Sequence, residues 1–271
     1  MEVNYFFEPD CYMLNRTARF HYPVHLRMVD FVEKYFGLNL FNQNIAHSEA
    51  DEDTKKKLVQ RIKINGSRIN WDEDLREASY VVFDTETTGL QPFKGDKIIS
   101  IAGIIAESGI VHEDKVFDRL VDPGRAIPTT ASHITGITNA MVADKPNIIS
   151  VLLDFFSFVE GRVLVAHNAA FDLAFLNVAL TNCAPCRVLN PVIDTYTLAR
   201  CLIPDMFEYS LESLVKRFGI EEKERHTALG DSMMTSHIFV QLLELLEKQG
   251  VSTLNQLCSF FATYRDEYRK I

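Results

Sequence analysis

VVFDTETTGL, residues 81–90, combines an apolar run with two acidic residues. Its apolar start is typical of a buried strand, and its second half contains two carboxylates, Asp84 and Glu86. Side chains two residues apart on a strand project from the same face, so these two carboxylates are expected to lie side by side. Like charges at that distance are unfavourable unless a cation lies between them. The stretch predicts a cation site or, because Asp-x-Glu is a common pattern, an ordinary structural strand end.

The chain from Ser79 onward follows an α/β pattern. Three consecutive strands with short turns between them are predicted in YVVFD, KIISIAGIIA and IVHEDKVFDRLV. After a loop rich in Pro and Thr, two short buried strands, VLVAH and NPVID, alternate with helices. The helices are predicted in IISVLLDFFSFVEG, NAAFDLAFLNVAL, TYTLARCL and SLESLVKRFG, from Asp231 to Gln249, and from Leu254 to Tyr268. This order predicts one mixed sheet flanked by helices.

The first 75 residues differ from the rest and predict a small, mainly helical N-terminal extension of unknown role. Apolar residues at helical spacing in PVHLRMVDFVEKYFG predict an amphipathic helix that ends at Gly37. The stretch from Lys55 to Arg68 is basic and contains no acidic residue, which predicts a solvated helix face or a contact with nucleic acid or a partner. We therefore divide the chain into an extension (1–75), an α/β domain (79–250) and a C-terminal helix (251–271) that packs on that domain or extends it.

Composition limits the classes of function. The net charge of −9 argues against a protein that grips long duplex nucleic acid by charge alone, although a site that engages a few phosphates needs no basic surface. No apolar run approaches the roughly 20 residues of a membrane-spanning helix, so a cytoplasmic protein without membrane contact is predicted. The five cysteines fit a reducing compartment, and the spaced pair Cys183 and Cys186 predicts a packing or loop role rather than a zinc site.

Three further polar residues lie at the predicted ends of elements. Asp172 comes early in the helix after VLVAH, where a helix dipole alone would favour it. Asp231 is expected to open the long helix, where it could be a simple N-cap, and Gly230 places His226 on a loop before it, as an ordinary surface residue or a functional one. Taken together with Asp84 and Glu86, these residues have the composition that two-metal phosphoryl transfer requires. Carboxylate oxygens are ligands for Mg²⁺ or Mn²⁺, and a histidine that titrates near neutrality can accept a proton from water.

FDTETTGL, AHNAAFDLAFL and HTALGD, with HITGIT and DTYTLAR between them, closely resemble the three motifs and spacers of DnaQ-like 3′-to-5′ exonucleases of the DEDDh type. The resemblance covers about residues 79–249 and includes the proofreading exonuclease domains of the DNA polymerase III epsilon-subunit and PolC type. It implies a ribonuclease H-like fold with a mixed five-stranded sheet. It also implies two Mg²⁺ or Mn²⁺ ions, held by the four carboxylates Asp84, Glu86, Asp172 and Asp231, with His226 as the general base.

The same resemblance implies a set of substrate-binding residues. The backbone of Thr87 and Thr88 would meet the terminal sugar, and Leu90 would wedge against the last base. Asn168 and Phe171 would be substrate-side or supporting residues, and Phe171 is otherwise a plain core aromatic. Some proofreading relatives have HGI where this chain has TGI, so Thr135 occupies the position of a substrate-contacting histidine. His167 is interpreted as a supporting residue rather than a ligand.

These features together predict a metal-dependent exonuclease that removes nucleoside 5′-monophosphates from the 3′ ends of DNA, preferably single-stranded, as a proofreading or repair activity. Its partners would be nucleic acid 3′ ends and, as one alternative, a DNA polymerase on which the chain docks as a mainly binding subunit. The other alternative is an exoribonuclease that trims RNA.

Overall fold

The computed structural model describes residues 51–268, with the side chains of residues 51–263. The strands are β1 (Ser79–Thr87), β2 (Ile98–Glu107), β3 (Ile110–Leu120), β4 (Val163–Ala166) and β5 (Val192–Asp194). The α-helices are α1 (Glu52–Ser67), α2 (Thr129–Thr135), α3 (Asn139–Val142), α4 (Ile148–Val159), α5 (Ala170–Cys183), α6 (Thr195–Leu202), α7 (Leu211–Phe218), α8 (Ala228–Lys248) and α9 (Leu254–Tyr268). The helix predicted to end at Gly37 lies outside the described residues.

The five strands form one mixed sheet in the order β3-β2-β1-β4-β5. β1, β2 and β3 are antiparallel neighbours, whereas β4 and β5 run parallel to β1. The predicted mixed five-stranded sheet with flanking helices is therefore confirmed. Since the carboxyl ends of β1, β4 and β5 meet at one edge, the residues that follow these strands lie close to one another.

Alternation along β1 assigns its side chains to two cores. Val81 and Phe83 are buried against residues of α4 and α5, and Tyr80 and Val82 are buried against residues of α8 and α9. The apolar half of β1 is thus covered on both faces, as expected for a strand at the centre of a sheet with helices on both sides.

Helix α1 packs on α4. Leu58 and Ile62 are fully buried in the core that also contains α4 and α5. The side chain of Asn65 donates a hydrogen bond of 2.7 Å to the carbonyl oxygen of Phe156, near the end of α4. The basic stretch therefore lies on a helix whose other side is core, while the division of the chain into an extension and a domain stays a prediction.

Two element boundaries differ from those expected from the sequence. The stretch interpreted as a Pro- and Thr-rich loop contains the short helices α2 and α3. The long helix begins at Ala228 rather than at Asp231, because the Thr227 side chain accepts a hydrogen bond of 3.0 Å from the amide of Gly230 and caps the helix. None of the described helices combines the length and the apolar character needed to cross a membrane.

Candidate active site

Three of the four predicted carboxylates converge. Asp84, Glu86 and Asp231 each offer one oxygen, and these atoms lie within 4.8 Å of one another. Asp84 and Glu86 continue the face of β1 that is covered by α8, and Asp231 lies in the first turn of α8. Within the described part of the chain, this is the one group of three such side chains that could hold a metal ion.

Gly230 allows the loop before α8 to pass close to that helix. A Cβ atom at this position would lie 2.2 Å from the carbonyl oxygen of Glu224 and 2.8 Å from that of Lys223. Real Cβ atoms do not approach backbone that closely, so any other residue would push the loop away. The glycine of HTALGD is therefore required for the position of the loop that contains His226, and it does not mark the start of the helix.

Asp172 reaches the site from the opposite layer of the fold. The last pairs between β1 and β4 end at Val82, so the next part of β1 has no strand on that side. Asp172 Oδ1 takes the place of a strand carbonyl, because it accepts hydrogen bonds from the Thr85 amide (3.0 Å) and the Thr85 hydroxyl (2.6 Å). Asp172 is 2% exposed, and its charge acts on both Asp84 and Glu86. It is adjacent to the cluster but outside the set of converging oxygens.

Burial and mutual repulsion disfavour the ionised form of the carboxyl groups at this site. Burial, followed by the charges of Asp172 and Asp231, raises the pKa of Asp84 well above its usual value. The same causes raise the pKa of Glu86 to about 8. Burial raises the pKa of Asp172 to about 7, although the hydrogen bonds from Thr85 oppose the shift. A bound cation would neutralise this repulsion and favour the ionised carboxylates. Carboxyl groups with raised pKa values that lie close together are typical of functional sites.

The donor set fits a hard divalent cation. All of the converging atoms are carboxylate oxygens, the ligand type that Mg²⁺ and Mn²⁺ prefer. Asp231 Oδ1 is buried and has no hydrogen-bond partner in the described protein, although buried polar atoms are ordinarily bonded. This oxygen is therefore available as a ligand.

The side chain of Arg225 places a positive charge next to the acidic cluster. Its guanidinium donates from Nη1 to Asp231 Oδ2 and from Nη2 to Glu212 Oε1, and so links α8 to α7. Its positive charge lowers the pKa of Asp84 and Glu86, against the rise caused by burial. The guanidinium partly neutralises the cluster and leaves Asp231 Oδ1 unbonded.

His226 lies on the turn directly before α8, as predicted for a histidine on a loop. It is exposed and has a left-handed backbone conformation, with φ 61°. Burial raises the pKa of Asp231, and the backbone amide and ring of His226 are among the groups that oppose that rise. The imidazole of His226 is thus accessible to solvent and lies next to Asp231, a candidate metal ligand.

The TTGL turn follows the acidic cluster. Thr87 and Thr88 are buried, and the Thr87 hydroxyl donates to the carbonyl oxygen of Gly89 (2.6 Å), so these threonines can offer mainly backbone to a ligand. Leu90 is 77% exposed. Leu90 is thus an exposed large apolar side chain four residues after Glu86 in the sequence, and its predicted contact to a base stays a prediction.

The turn after β4 holds the predicted supporting residues. Asn168 is exposed and left-handed, with φ 56°, whereas Phe171 packs on Phe175 with 5.0 Å between ring centroids. His167 Nδ1 lies 3.0 Å from the hydroxyl of Thr195, and burial lowers its pKa. His167 is held inside the fold, so its geometry is that of a supporting residue.

Thr135 is occupied within its own helix. Its hydroxyl donates to the carbonyl oxygen of Ala131 (3.0 Å) and accepts from the amide of Ile137 (3.1 Å), and the residue is 8% exposed. A contact from Thr135 to substrate stays a prediction, and these bonds leave little of its side chain for one.

Sequence reasoning did not single out three residues that shape the site: Thr85, Glu212 and Arg225. Arg225 had a usable signal, because it directly precedes the predicted general base. Thr85 had another, since it stands between the two carboxylates of Asp-Thr-Glu. Glu212 lies 13 positions before Arg225, and no local pattern links the two residues.

Comparison with known sequences agrees with the geometry. The sequence model of the RNase_T family, described as an exonuclease, matches residues 81–239. A DNA polymerase III subunit epsilon-like protein of Rhodobacter capsulatus is 45% identical over 181 residues, which cover 66% of this chain and 26% of that protein. The PolC-type DNA polymerase III of Bacillus subtilis is 36% identical over 184 residues, covering 68% of this chain and 13% of that protein. The chain thus spans only 26% and 13% of the length of these two relatives.

Solved structures show the same fold. Exonuclease X, solved in complex with 5′ overhanging duplex DNA, is 29% identical, with a TM-score of 0.52 over 67% of this chain and 98% of that chain. The nuclease domain of 3′hExo, a DEDDh family member bound to rAMP, has a TM-score of 0.57 at 18% identity, over 63% of this chain and 94% of that chain. The ribonuclease H-like fold is confirmed, and because the family match extends over more than half of the chain, this protein belongs to the RNase_T exonuclease family.

Proposed function

We propose that this chain is a 3′-to-5′ exonuclease that hydrolyses terminal phosphodiester bonds of DNA, preferably single-stranded, and releases nucleoside 5′-monophosphates. The single observation that supports this most strongly is the convergence of Asp84, Glu86 and Asp231, with Asp172 anchored beside them. Membership of an exonuclease family agrees with that chemistry. Exonuclease X, at 29% identity, was solved with DNA, which favours DNA as the substrate class.

Two Mg²⁺ or Mn²⁺ ions would be held by Asp84, Glu86 and Asp231, with Asp172 completing the acidic set. Bound there, such ions would activate water and stabilise the leaving oxygen. Asp84 is central among the carboxylates, since the charges of the other three all act on it. Asp172 is fixed by Thr85, so its carboxylate needs no reorganisation when substrate arrives.

Residues around the cluster accept the proton and bind the terminal nucleotide. His226, exposed beside Asp231, takes the proton of the attacking water at its ring nitrogen. Backbone groups of the segment Thr87–Thr88 meet the terminal sugar, and Leu90, which is 77% exposed, packs against the terminal base.

The test uses the purified full chain with Mn²⁺ and 5′-labelled oligonucleotides of one sequence, as single-stranded DNA, as a mismatched duplex and as RNA. A ladder that shortens from the 3′ end, with nucleoside 5′-monophosphate as the product, is expected for DNA and is lost in EDTA. Preferential cleavage of RNA would establish the exoribonuclease alternative. Immediate release of the 5′ label would contradict the proposed direction, and no cleavage of any substrate would contradict the activity.

A matched pair of variants separates this site from a contaminating nuclease. Asp84→Asn removes a predicted ligand, whereas Glu222→Gln removes an exposed carboxylate from the loop before His226. Cleavage is expected to disappear only in the first variant. Equal activity of both would show that the acidic cluster is not the active site.

A further inference from the structure

The TTGL turn is wrapped around one carboxylate, that of Asp96. Asp96 Oδ2 accepts a hydrogen bond of 3.0 Å from the amide of Gln91, and Asp96 Oδ1 accepts one of 3.2 Å from the hydroxyl of Thr88. These two donors lie on either side of Gly89 and Leu90. The carboxylate therefore fixes both ends of the two-residue segment that presents Leu90.

Gly89 is matched to this carboxylate. A Cβ atom built on Gly89 would lie 2.4 Å from Asp96 Oδ2 and 2.7 Å from its Cγ, closer than real Cβ contacts. The requirement for glycine here comes from close approach and not from a left-handed backbone, because Gly89 is not among the residues with positive φ. The turn can close on Asp96 only because position 89 has no side chain.

Other contacts hold the backbone on either side of Asp96, and one cation approaches its carboxylate. The Thr88 amide donates to the Lys97 carbonyl oxygen (2.8 Å), and the Lys97 amide donates to the Thr88 hydroxyl (3.0 Å). Arg125 Nη1 donates to the carbonyl oxygen of Gly95 and lies 3.4 Å from Asp96 Oδ1. The Asp96 side chain is 20% exposed, so these bonds are partly shielded from water. Such charge-assisted bonds are stronger than neutral ones.

The network leaves an exposed apolar side chain on a fixed backbone. Leu90 is 77% exposed, while Thr88, inside the turn, is 2% exposed. An exposed leucine with no packing in the core is normally free to change its conformation. The residues on both sides of Leu90, however, are held by Asp96. The backbone is thereby set before any ligand binds, which reduces the entropy lost on binding.

We propose that Asp96 is a positioning residue for the 3′-terminal nucleotide. It holds the segment from Thr87 to Leu90 in the conformation that receives the terminal sugar and base, and it touches neither the cations nor the reacting phosphate. The proposal rests on the proposed exonuclease function. It predicts that loss of Asp96 weakens the binding of nucleotide and leaves the chemical step and the cation site unchanged.

The first test compares Asp96→Ala with the wild-type chain. The KM for a single-stranded DNA oligonucleotide and the Kd for thymidine 5′-monophosphate, titrated calorimetrically with Mn²⁺ present, are each expected to rise about tenfold, or about 1.4 kcal/mol. The value of kcat should stay within about twofold, since the interaction is made equally in ground and transition states. The Mn²⁺ affinity, measured without nucleotide, should not change. A fall in kcat or in Mn²⁺ affinity with unchanged KM would overturn the proposal.

The second test uses the contact between positions 89 and 96. Gly89→Ala should raise KM to about the level of Asp96→Ala, because its methyl group displaces the same carboxylate. The double variant should stay at that level, since both substitutions remove the same contacts. Additive effects of the two substitutions would overturn the proposal even if each variant were less stable than the wild-type chain.

The matched control is Asp74→Ala. Asp74 also accepts a backbone hydrogen bond within a turn, from the Arg76 amide at 2.8 Å, but it precedes the opposite end of β1. The KM of Asp74→Ala should equal that of the wild-type chain. If the KM of Asp74→Ala rises as much as that of Asp96→Ala, general destabilisation explains both effects and the proposal is wrong. If the wild-type chain cuts no oligonucleotide, the proposed function and this inference both fail. If the wild-type chain cuts DNA and Asp96→Ala has the same KM, only the inference fails.

Discussion

Replacement of Glu86 by Gln is expected to stabilise the metal-free protein while it destroys the cation site. Glu86 lies within the acidic cluster, where burial and the charges of Asp231 and Asp172 raise its pKa from 4.5 to about 8. Gln is close to Glu in shape and has no charge to desolvate. At neutral pH the folded protein must keep this carboxyl group largely protonated, whereas the unfolded chain can ionise it. The substitution removes that cost and, at the same time, one candidate ligand.

The size of the effect follows from the shift in the pKa. A carboxyl group whose folded pKa lies above its unfolded pKa is protonated more easily in the folded protein. Its contribution to stability is present below pH 4.5 and is lost as the pH rises through about 8. The shift of about 3.5 units corresponds to about 5 kcal/mol, and access of water to this partly exposed side chain reduces it to about 2 to 3 kcal/mol. The midpoint of thermal unfolding at pH 8 should then rise by about 5 to 10 °C in Glu86→Gln.

The assay is thermal unfolding in EDTA between pH 5 and pH 8.5, followed by the same series in Mn²⁺. In EDTA, the advantage of Glu86→Gln should be small at pH 5 and should grow up to pH 8. Mn²⁺ at about 1,000 times its Kd should reverse the order, because binding then stabilises the wild-type protein by about 4.1 kcal/mol, which exceeds the advantage of the variant. Glu222→Gln, which removes an exposed carboxylate, should show neither effect.

Two results would refute the reasoning. If Glu86→Gln and the wild-type chain unfold at the same temperature at pH 8 in EDTA, Glu86 has no repulsion to relieve. If the variant keeps the full stabilisation by Mn²⁺, Glu86 is not a ligand, and the convergence with Asp84 and Asp231 has another cause.

Four further substitutions test the other parts of the site with the same unfolding and cleavage assays. Asp84→Asn should lower cleavage at least about 100-fold and remove most of the Mn²⁺ stabilisation, and retention of both would exclude Asp84 as a ligand. His226→Ala should lower kcat by about 100-fold or more and change its pH profile while Mn²⁺ stabilisation stays intact, so a normal pH profile would argue against a general base here. Arg225→Gln should destabilise the metal-free protein and tighten Mn²⁺ binding about tenfold, since a positive charge beside the site is lost, and weaker Mn²⁺ binding would contradict this. Thr85→Val should cost about 1 to 2 kcal/mol and reduce cleavage, because Asp172 keeps only the backbone hydrogen bond, and unchanged values would show that the hydroxyl is dispensable.

The strands and most of the helices follow local rules, which explains why their order could be predicted. Runs of β-branched residues predicted the strands, and helical periodicity predicted the core face of α8, where Met234, Ile238 and Leu242 are buried. The start of α8 was predicted three residues late, because Gly230 was interpreted as a breaker. Its actual role is to make room for the carbonyl oxygen of Glu224, a contact that no local pattern reveals.

Strand alternation is a property of neighbouring residues, so Asp84 and Glu86 could be assigned to one face of β1 without the structure. Which groups meet them there depends on how distant elements pack. Asp172 comes close because the pairing of β4 with β1 ends at Val82, which leaves the Thr85 amide without a strand partner until the carboxylate supplies one. Asp231 comes close because α8 packs across the same face of β1, and Arg225 joins it from the loop before that helix. Patterns that can be recognised in a sequence relate residues two to four positions apart. These contacts join residues up to about 150 positions apart, and their geometry depends on where each strand ends and which helix covers it.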